Sequence, residues 1–160
     1  MVITFNLSIS EVSSAQIGDG VTNRNGPWRG LEKHTQNELV DKEDKNLYIF
    51  AGGYGNKNNG LPDGHPLKEN QIKLPERLWK VVVVLEPGQT LSDVKADTPI
   101  IAADFPNDNS DRKEGNWSNY ITTINEIEEQ IKKEIPGFNL LSNVPEEYRK
   151  VLKKKKYTLT

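Results

Sequence analysis

The sequence predicts an α+β fold, a mainly antiparallel sheet flanked by helices, in a single domain covering residues 1–160. Three observations carry that expectation. Apolar runs of strand length stand at residues 47–51, 78–85 and 99–103, each bounded by turn residues. Two other stretches, opening near Pro27 and Thr123, repeat apolar residues at helical spacing. Strands and helices are interspersed, and neither an internal repeat nor a linker divides the chain.

The elements follow in order. Residues 2–8 alternate enough for an edge strand and lack the basic and continuous apolar regions of a signal peptide. Residues 9–22 are small and polar and read as loop. A helix then opens, with Asn25 or Gly26 able to cap it. Pro27 suits its first position, where the missing N–H would have had no partner. Trp28, Leu31, Thr35 and Leu39 form its buried stripe, with Glu32 and Gln36 one turn apart on a neighbouring face. Residues 42–45 (Lys-Glu-Asp-Lys) make a solvated exit. Residues 47–51 are a core strand bounded by Asn46 and Gly52, and the Gly- and Pro-rich residues 52–76 are a long loop of the kind that often serves function. Residues 78–85 are almost continuously apolar, which implies burial on both faces. Residues 99–103 give a further strand, followed by a polar loop from Asn107 to Trp117. Thr123-Ile124-Asn125-Glu126 forms a capping box; Ile124, Ile127, Ile131 and Ile135 share one face before Pro136 and Gly137 stop the helix. A last short helix opens at Pro145 and ends in Lys153 to Lys156, a solvated end that complements the helix dipole.

Composition narrows the function classes. A net charge of −2 argues against a broad basic face that grips nucleic acid, though not against an enzyme that must release its product. With no cysteine, disulfides and thiolate metal sites are excluded. No apolar run approaches the roughly 18 residues of a membrane span. Two histidines are too few and too far apart for a histidine metal site. His34, two residues past Glu32, turns away on the helix, and His65 lies in a loop, so both are expected to be solvent-exposed bystanders. The glycines at 52, 53 and 55 are followed by no Gly-Lys-Ser/Thr, and Asp108 to Asp111 lack the mid-loop glycine and closing glutamate of a calcium loop.

The segment that carries chemistry is Asn23 to Glu32 (Asn-Arg-Asn-Gly-Pro-Trp-Arg-Gly-Leu-Glu). It places amide side chains just ahead of a helix and a carboxylate in the helix's second turn. An amide oxygen can ligate a hard cation while the carboxylate fixes one of its waters, since Mg²⁺ prefers oxygen ligands and keeps several waters. By itself the pattern equally describes a helix cap followed by a surface glutamate.

The same string, Asn-Arg-Asn-Gly-Pro-Trp-x-x-Leu-Glu, resembles the helix start of the DNA/RNA non-specific endonucleases. This is the ββα-metal group that includes mitochondrial endonuclease G and bacterial sugar-non-specific nucleases. Other segments are similar in the same order. They are Asn46 to Gly55, Leu74-Pro75 with Leu78 to Val83, Ile100 to Asn107, Trp117 to Glu128, and Phe138 with Leu141 to Pro145; together they span roughly residues 20–150. The resemblance implies Asn23 as the metal-ligating asparagine and Glu32 as the carboxylate that orders metal-bound water. The spacing from Asn23 to Trp28 is one residue longer than in some relatives, which leaves Asn25 as an alternative ligand. It further implies Mg²⁺ (or Mn²⁺) as cofactor, non-specific DNA and RNA as partners, and a histidine that activates water for in-line attack.

The sequence departs from the family pattern in three places, one being that the Ser-Asn…Pro-Gln stretch is not recognisable in Ser8 to Gln16. It contains no Asp-Arg-Gly-His, the motif with the general base, and Gln36 stands where an arginine follows the glutamate by one turn. A glutamine offers no fixed positive charge to a phosphate. The expectation is an incomplete ββα-metal fold lacking the first strand of the finger, truncated or degenerate, and weakly active or inactive as this chain. The alternative is a catalytically dead module that binds nucleic acid or a protein partner.

Overall fold

The computed structural model describes residues 26–57, 63–64, 75–107 and 116–159. The strand expected at 2–8, the loop at 9–22 and the Asp108–Asp111 cluster lie outside the described residues. Within them the order is helix α1 (Pro27–His34), a π-helical turn (Thr35–Val40), strands β1 (Asn46–Tyr54), β2 (Arg77–Leu85) and β3 (Ile100–Pro106), and helices α2 (Ile124–Ile131) and α3 (Glu146–Leu152). Short 3-10 turns occupy Leu91–Asp93 and Trp117–Tyr120. The strands form one sheet in the order β1-β2-β3, antiparallel throughout. The expected α+β architecture with an antiparallel sheet is the one observed.

β2 is the middle strand, and its apolar run is buried on both faces as its sequence requires. Val81, Val82 and Val83 are all fully buried. Each buried valine contributes roughly 1.5–3 kcal/mol relative to exposure. Odd-numbered β2 residues face α2 and α3, where Val81 and Val83 pack with Ile124, Ile127 and Leu152. Even-numbered residues face α1, where Val82 and Val84 pack with Trp28, Leu31 and Phe105. The sheet is therefore the middle of three layers. After α3 the chain passes from one face to the other. Lys155 Nζ donates to the Asp97 carbonyl at 3.0 Å, and the Tyr157 ring lies 6.3 Å from that of Trp117.

Several element ends differ from the sequence expectation, each for a local reason. β1 continues through Gly52 and Gly53 to Tyr54, because those glycines sit beneath bulky neighbours rather than in a turn. A Cβ on Gly52 would lie 2.9 Å from the Trp79 ring, and one on Gly53 would lie 2.7 Å from Pro75 Cβ. Gly53→Ala is thus expected to destabilise by about 1–3 kcal/mol through overpacking. Urea denaturation reads the loss; an unchanged midpoint would show that Pro75 does not lie against β1. β3 likewise runs on to Pro106, paired with Arg77. The capping box of α2 forms as expected: Glu126 N donates to Thr123 Oγ1 at 3.2 Å and Thr123 N to Glu126 Oε2 at 2.9 Å. The helix ends at Ile131, however, and Ile135 beside Pro136 is 55% exposed rather than buried. Lys153 also departs from expectation. It is buried, and its ammonium donates to Glu128 Oε1 and Asn139 Oδ1, each at 2.6 Å.

Candidate active site

α1 is fixed to the sheet by its apolar stripe. Pro27 occupies its first position after Gly26, whose backbone is extended. Trp28, Leu31, Thr35 and Leu39 are all buried. The Trp28 ring meets Phe105 of β3 edge-on, with centroids 5.7 Å apart. Glu32 lies one turn after Trp28, and this spacing brings the two side chains together. The indole Nε1–H donates to Glu32 Oε1 at 2.8 Å.

A second donor reaches the same oxygen from the sheet. Lys80 lies in the middle of β2, on the side facing α1, between Ala51 of β1 and Ala103 of β3. Those two small neighbours leave room for a long side chain to turn toward the helix. Its ammonium stands 3.2 Å from Glu32 Oε1 and 3.8 Å from the centre of the Trp28 ring, a cation–π contact. Burial pushes the Lys80 amine down to about 8, against the opposing charge of Glu32. Arg29, in the first turn of α1, places Nη1 3.2 Å from Glu32 Oε2 and is 40% exposed. The carboxylate of Glu32, itself 15% exposed, is thus held by an indole N–H and two cations.

Thr35 Oγ1 donates to the Glu32 carbonyl at 2.9 Å, where the helix changes to π-helical hydrogen bonding. Single π turns of this kind cluster at functional sites. Gln36 turns toward the helix exit, and its Nε2 donates to Asp41 Oδ1 at 2.6 Å. Among the described residues, the positive charge near Glu32 comes from Arg29 and Lys80.

Asn23 and Asn25, the amides expected at the site, lie outside the described residues, as does His65. His34 is placed, and it corrects the expectation of an exposed bystander. It is half-buried, with its ring 4.9 Å from that of Trp117. Its Nε2 is buried with no hydrogen-bond partner among the described residues, and burial lowers its pKa. Lys80 and Arg29 were not picked out by sequence reasoning. A signal for Lys80 was available: a lysine inside a strand buried on both faces needs a partner.

Among the described residues no group of three or more His, Asp or Glu side chains could hold a metal ion. Glu32, with one oxygen already accepting twice, fits a cation that keeps most of its water and meets the carboxylate through it. On the opposite face, a cavity of about 250 Å³ between α2 and α3 is lined by Lys132, Arg149, Lys150 and Lys153. Its charges are largely compensated: Lys132 and Lys153 pair with Glu128, and Lys150 pairs with Glu146. No helix among the described residues is long and apolar enough to cross a membrane.

Comparison with known proteins bears on this arrangement. The family model of the DNA/RNA non-specific endonucleases matches residues 15–147. A protein described as a nuclease, from Nostoc sp. (strain PCC 7120 / SAG 25.82 / UTEX 2576), is 36% identical over 123 residues. The aligned region covers 76% of this chain but 39% of that relative, so the chain spans about two fifths of the relative's length. The matched stretch takes in α1 with Glu32, all three strands with Lys80, and α2, and on that extent the chain belongs to the DNA/RNA non-specific endonuclease family.

Proposed function

We propose that this chain forms the cation-binding part of a metal-dependent endonuclease that hydrolyses phosphodiester bonds of DNA and RNA without sequence specificity. The observation that carries the reading is Glu32. It is a carboxylate on the face of a core-anchored helix, fixed by Trp28 and Lys80, and in the sequence it follows the amides Asn23 and Asn25 by nine and seven residues. Asn23 is assigned as the direct ligand, with Asn25 as its alternative, and Glu32 as the acceptor for water in the cation's shell. Magnesium, or manganese in its place, would supply Lewis-acid stabilisation of the charge that develops on the phosphorus oxygens and the leaving oxygen. Arg29 presents an exposed guanidinium beside this position, suited to a backbone phosphate.

The general base is a separate matter. The sequence holds no Asp-Arg-Gly-His, and the His34 ring tilts against Trp117 with its Nε2 buried, which closes that nitrogen to a water outside. General-base assistance is worth about 10²–10⁴-fold, so this polypeptide by itself hydrolyses slowly. Relaxation of supercoiled plasmid with Mg²⁺ tests the reading. The expected result is slow nicking, with RNA degraded as well, that disappears with EDTA and falls at least tenfold in Glu32→Gln and Asn23→Ala. Plasmid retained on the protein but never nicked at high concentration would overturn the enzyme reading in favour of a nucleic-acid-binding module without catalysis.

A further inference from the structure

The surroundings of Glu32 hold one group whose presence stability does not explain. Lys80 takes a position on β2 between Val82 and Leu78, where an apolar residue would pack as its neighbours do. A buried ammonium costs several kcal/mol of desolvation, which an ion pair only partly returns, and well-packed apolar replacements are often neutral or stabilising. A lysine here therefore calls for a role in the site. We propose that Lys80 is a positioning residue: with the Trp28 indole it occupies Glu32 Oε1 and balances the carboxylate's charge, so that Glu32 meets the cation through water and not as a direct ligand. This rests on the metal-dependent reading given above.

Two features of the geometry support it. Oε1 already accepts from Trp28 Nε1 at 2.8 Å and Lys80 Nζ at 3.2 Å, which fills that oxygen, and Arg29 Nη1 lies 3.2 Å from Oε2, so a metal would find a single lone-pair site on the oxygen nearest a guanidinium. Glu32 also lies between two positive groups, Lys80 on one oxygen and Arg29 on the other. A bare divalent cation beside that carboxylate would be repelled by both, whereas a hydrated one stands farther off and is repelled less. Lys80 thereby preserves water on the cation, and a nuclease needs water in place to attack the phosphorus. Removing the ammonium should convert Glu32 from a holder of water into a ligand.

The test uses the full chain and Mn²⁺ as the probe. Electron paramagnetic resonance gives its affinity, and water-proton relaxation gives the number of exchanging waters it retains. Wild type is expected to bind Mn²⁺ with most of its water in place. Lys80→Met is expected to bind roughly tenfold tighter or more, because a like charge has gone. It should retain about one water fewer as the carboxylate enters the inner shell. Adding Glu32→Gln to Lys80→Met should restore the wild-type water count, which a purely structural role for Lys80 would not move. Should the methionine variant fail to fold, Lys80→Gln, which keeps a donor but no charge, gives the same comparison with a smaller change. Wild-type affinity and hydration in the folded Lys80 variant overturn this inference and leave the metal-dependent reading standing. No Mn²⁺ bound by wild type overturns that reading, and the inference with it.

Discussion

Glu32→Ala should cost about 3–5 kcal/mol of stability near pH 6, because it strands the Lys80 ammonium inside the protein with, among the described residues, the Trp28 ring as its remaining partner. The loss should shrink with rising pH. Lys80 titrates at about 8 in the fold against 10.5 unfolded, so between those values the unfolded chain binds more protons. Stability then climbs with pH; the gain is complete above 10.5 and is lost as pH falls through about 8. Without Glu32 the burial that dominates this shift acts unopposed by its main compensating charge, and the climb begins at lower pH. Urea melts of wild type and variant at pH 6, 8 and 9.5 read the effect. An equal difference at all three would mean that Lys80 is not the group left unpaired. Measurements belong below pH 10, since burial raises the Tyr54 hydroxyl well above its usual range and the unfolded tyrosine ionises first. The result also governs how activity is tested. An alanine at position 32 confounds lost chemistry with lost fold, whereas Glu32→Gln keeps an acceptor for Lys80 and Trp28.

Much of this arrangement was legible in the sequence. The stripe of Trp28, Leu31, Thr35 and Leu39, the capping box at Thr123 and the double burial of β2 follow from periodicity and local chemistry, and all three appear in the fold. Glu32 is proposed as a site residue from the residues around it that resemble the family's helix start. What was not legible depends on contacts distant in sequence. Lys80 is 48 residues from Glu32, and Lys153 is 25 from the Glu128 that draws it inside. A run of four lysines reads as solvated because each local window is polar, yet the first of the run is buried. The glycines of β1 read as a strand end because their contacts, Trp79 and Pro75, come from elsewhere in the chain. The π turn left no mark on the pattern, since it shifts hydrogen bonding without changing which residues are apolar.

Glu128→Ala is expected to have an effect of similar size on the other face of the sheet. Its carboxylate, 2% exposed, accepts from Leu140 N and Lys153 Nζ, each at 2.6 Å, and from Lys132 Nζ at 3.2 Å. It thereby ties α2 both to the segment before α3 and to the end of α3. Deleting it leaves the buried Leu140 N–H without its acceptor and the buried Lys153 ammonium without its counter-charge, held by the neutral Asn139 oxygen, a loss of about 3–5 kcal/mol. For a chain of this size that lowers the melting temperature by roughly 6–20 °C. Glu128→Leu combined with Lys153→Met should recover most of the loss, because the apolar pair leaves no stranded charge. Calorimetry on the single and double variants decides it: if the double variant melts no higher than Glu128→Ala, the ion pair is not the source of the stability. Any fall in nicking should track the melting temperature, since Glu128 and Glu32 lie on opposite faces.

The central position of β2 bears on how damaged variants of this protein will behave in the cell. Its Val81 to Leu85 segment is branched, uncharged and free of proline, the composition that self-associates into stacked strands when exposed. In the folded chain two neighbouring strands cover its edges, and a helical layer covers each face. Loosening either layer, through Glu32 on one side or Glu128 on the other, uncovers the same valines. Such variants should therefore accumulate as precipitate, and a low yield from the soluble fraction will report on the sheet before any assay reports on the chemistry.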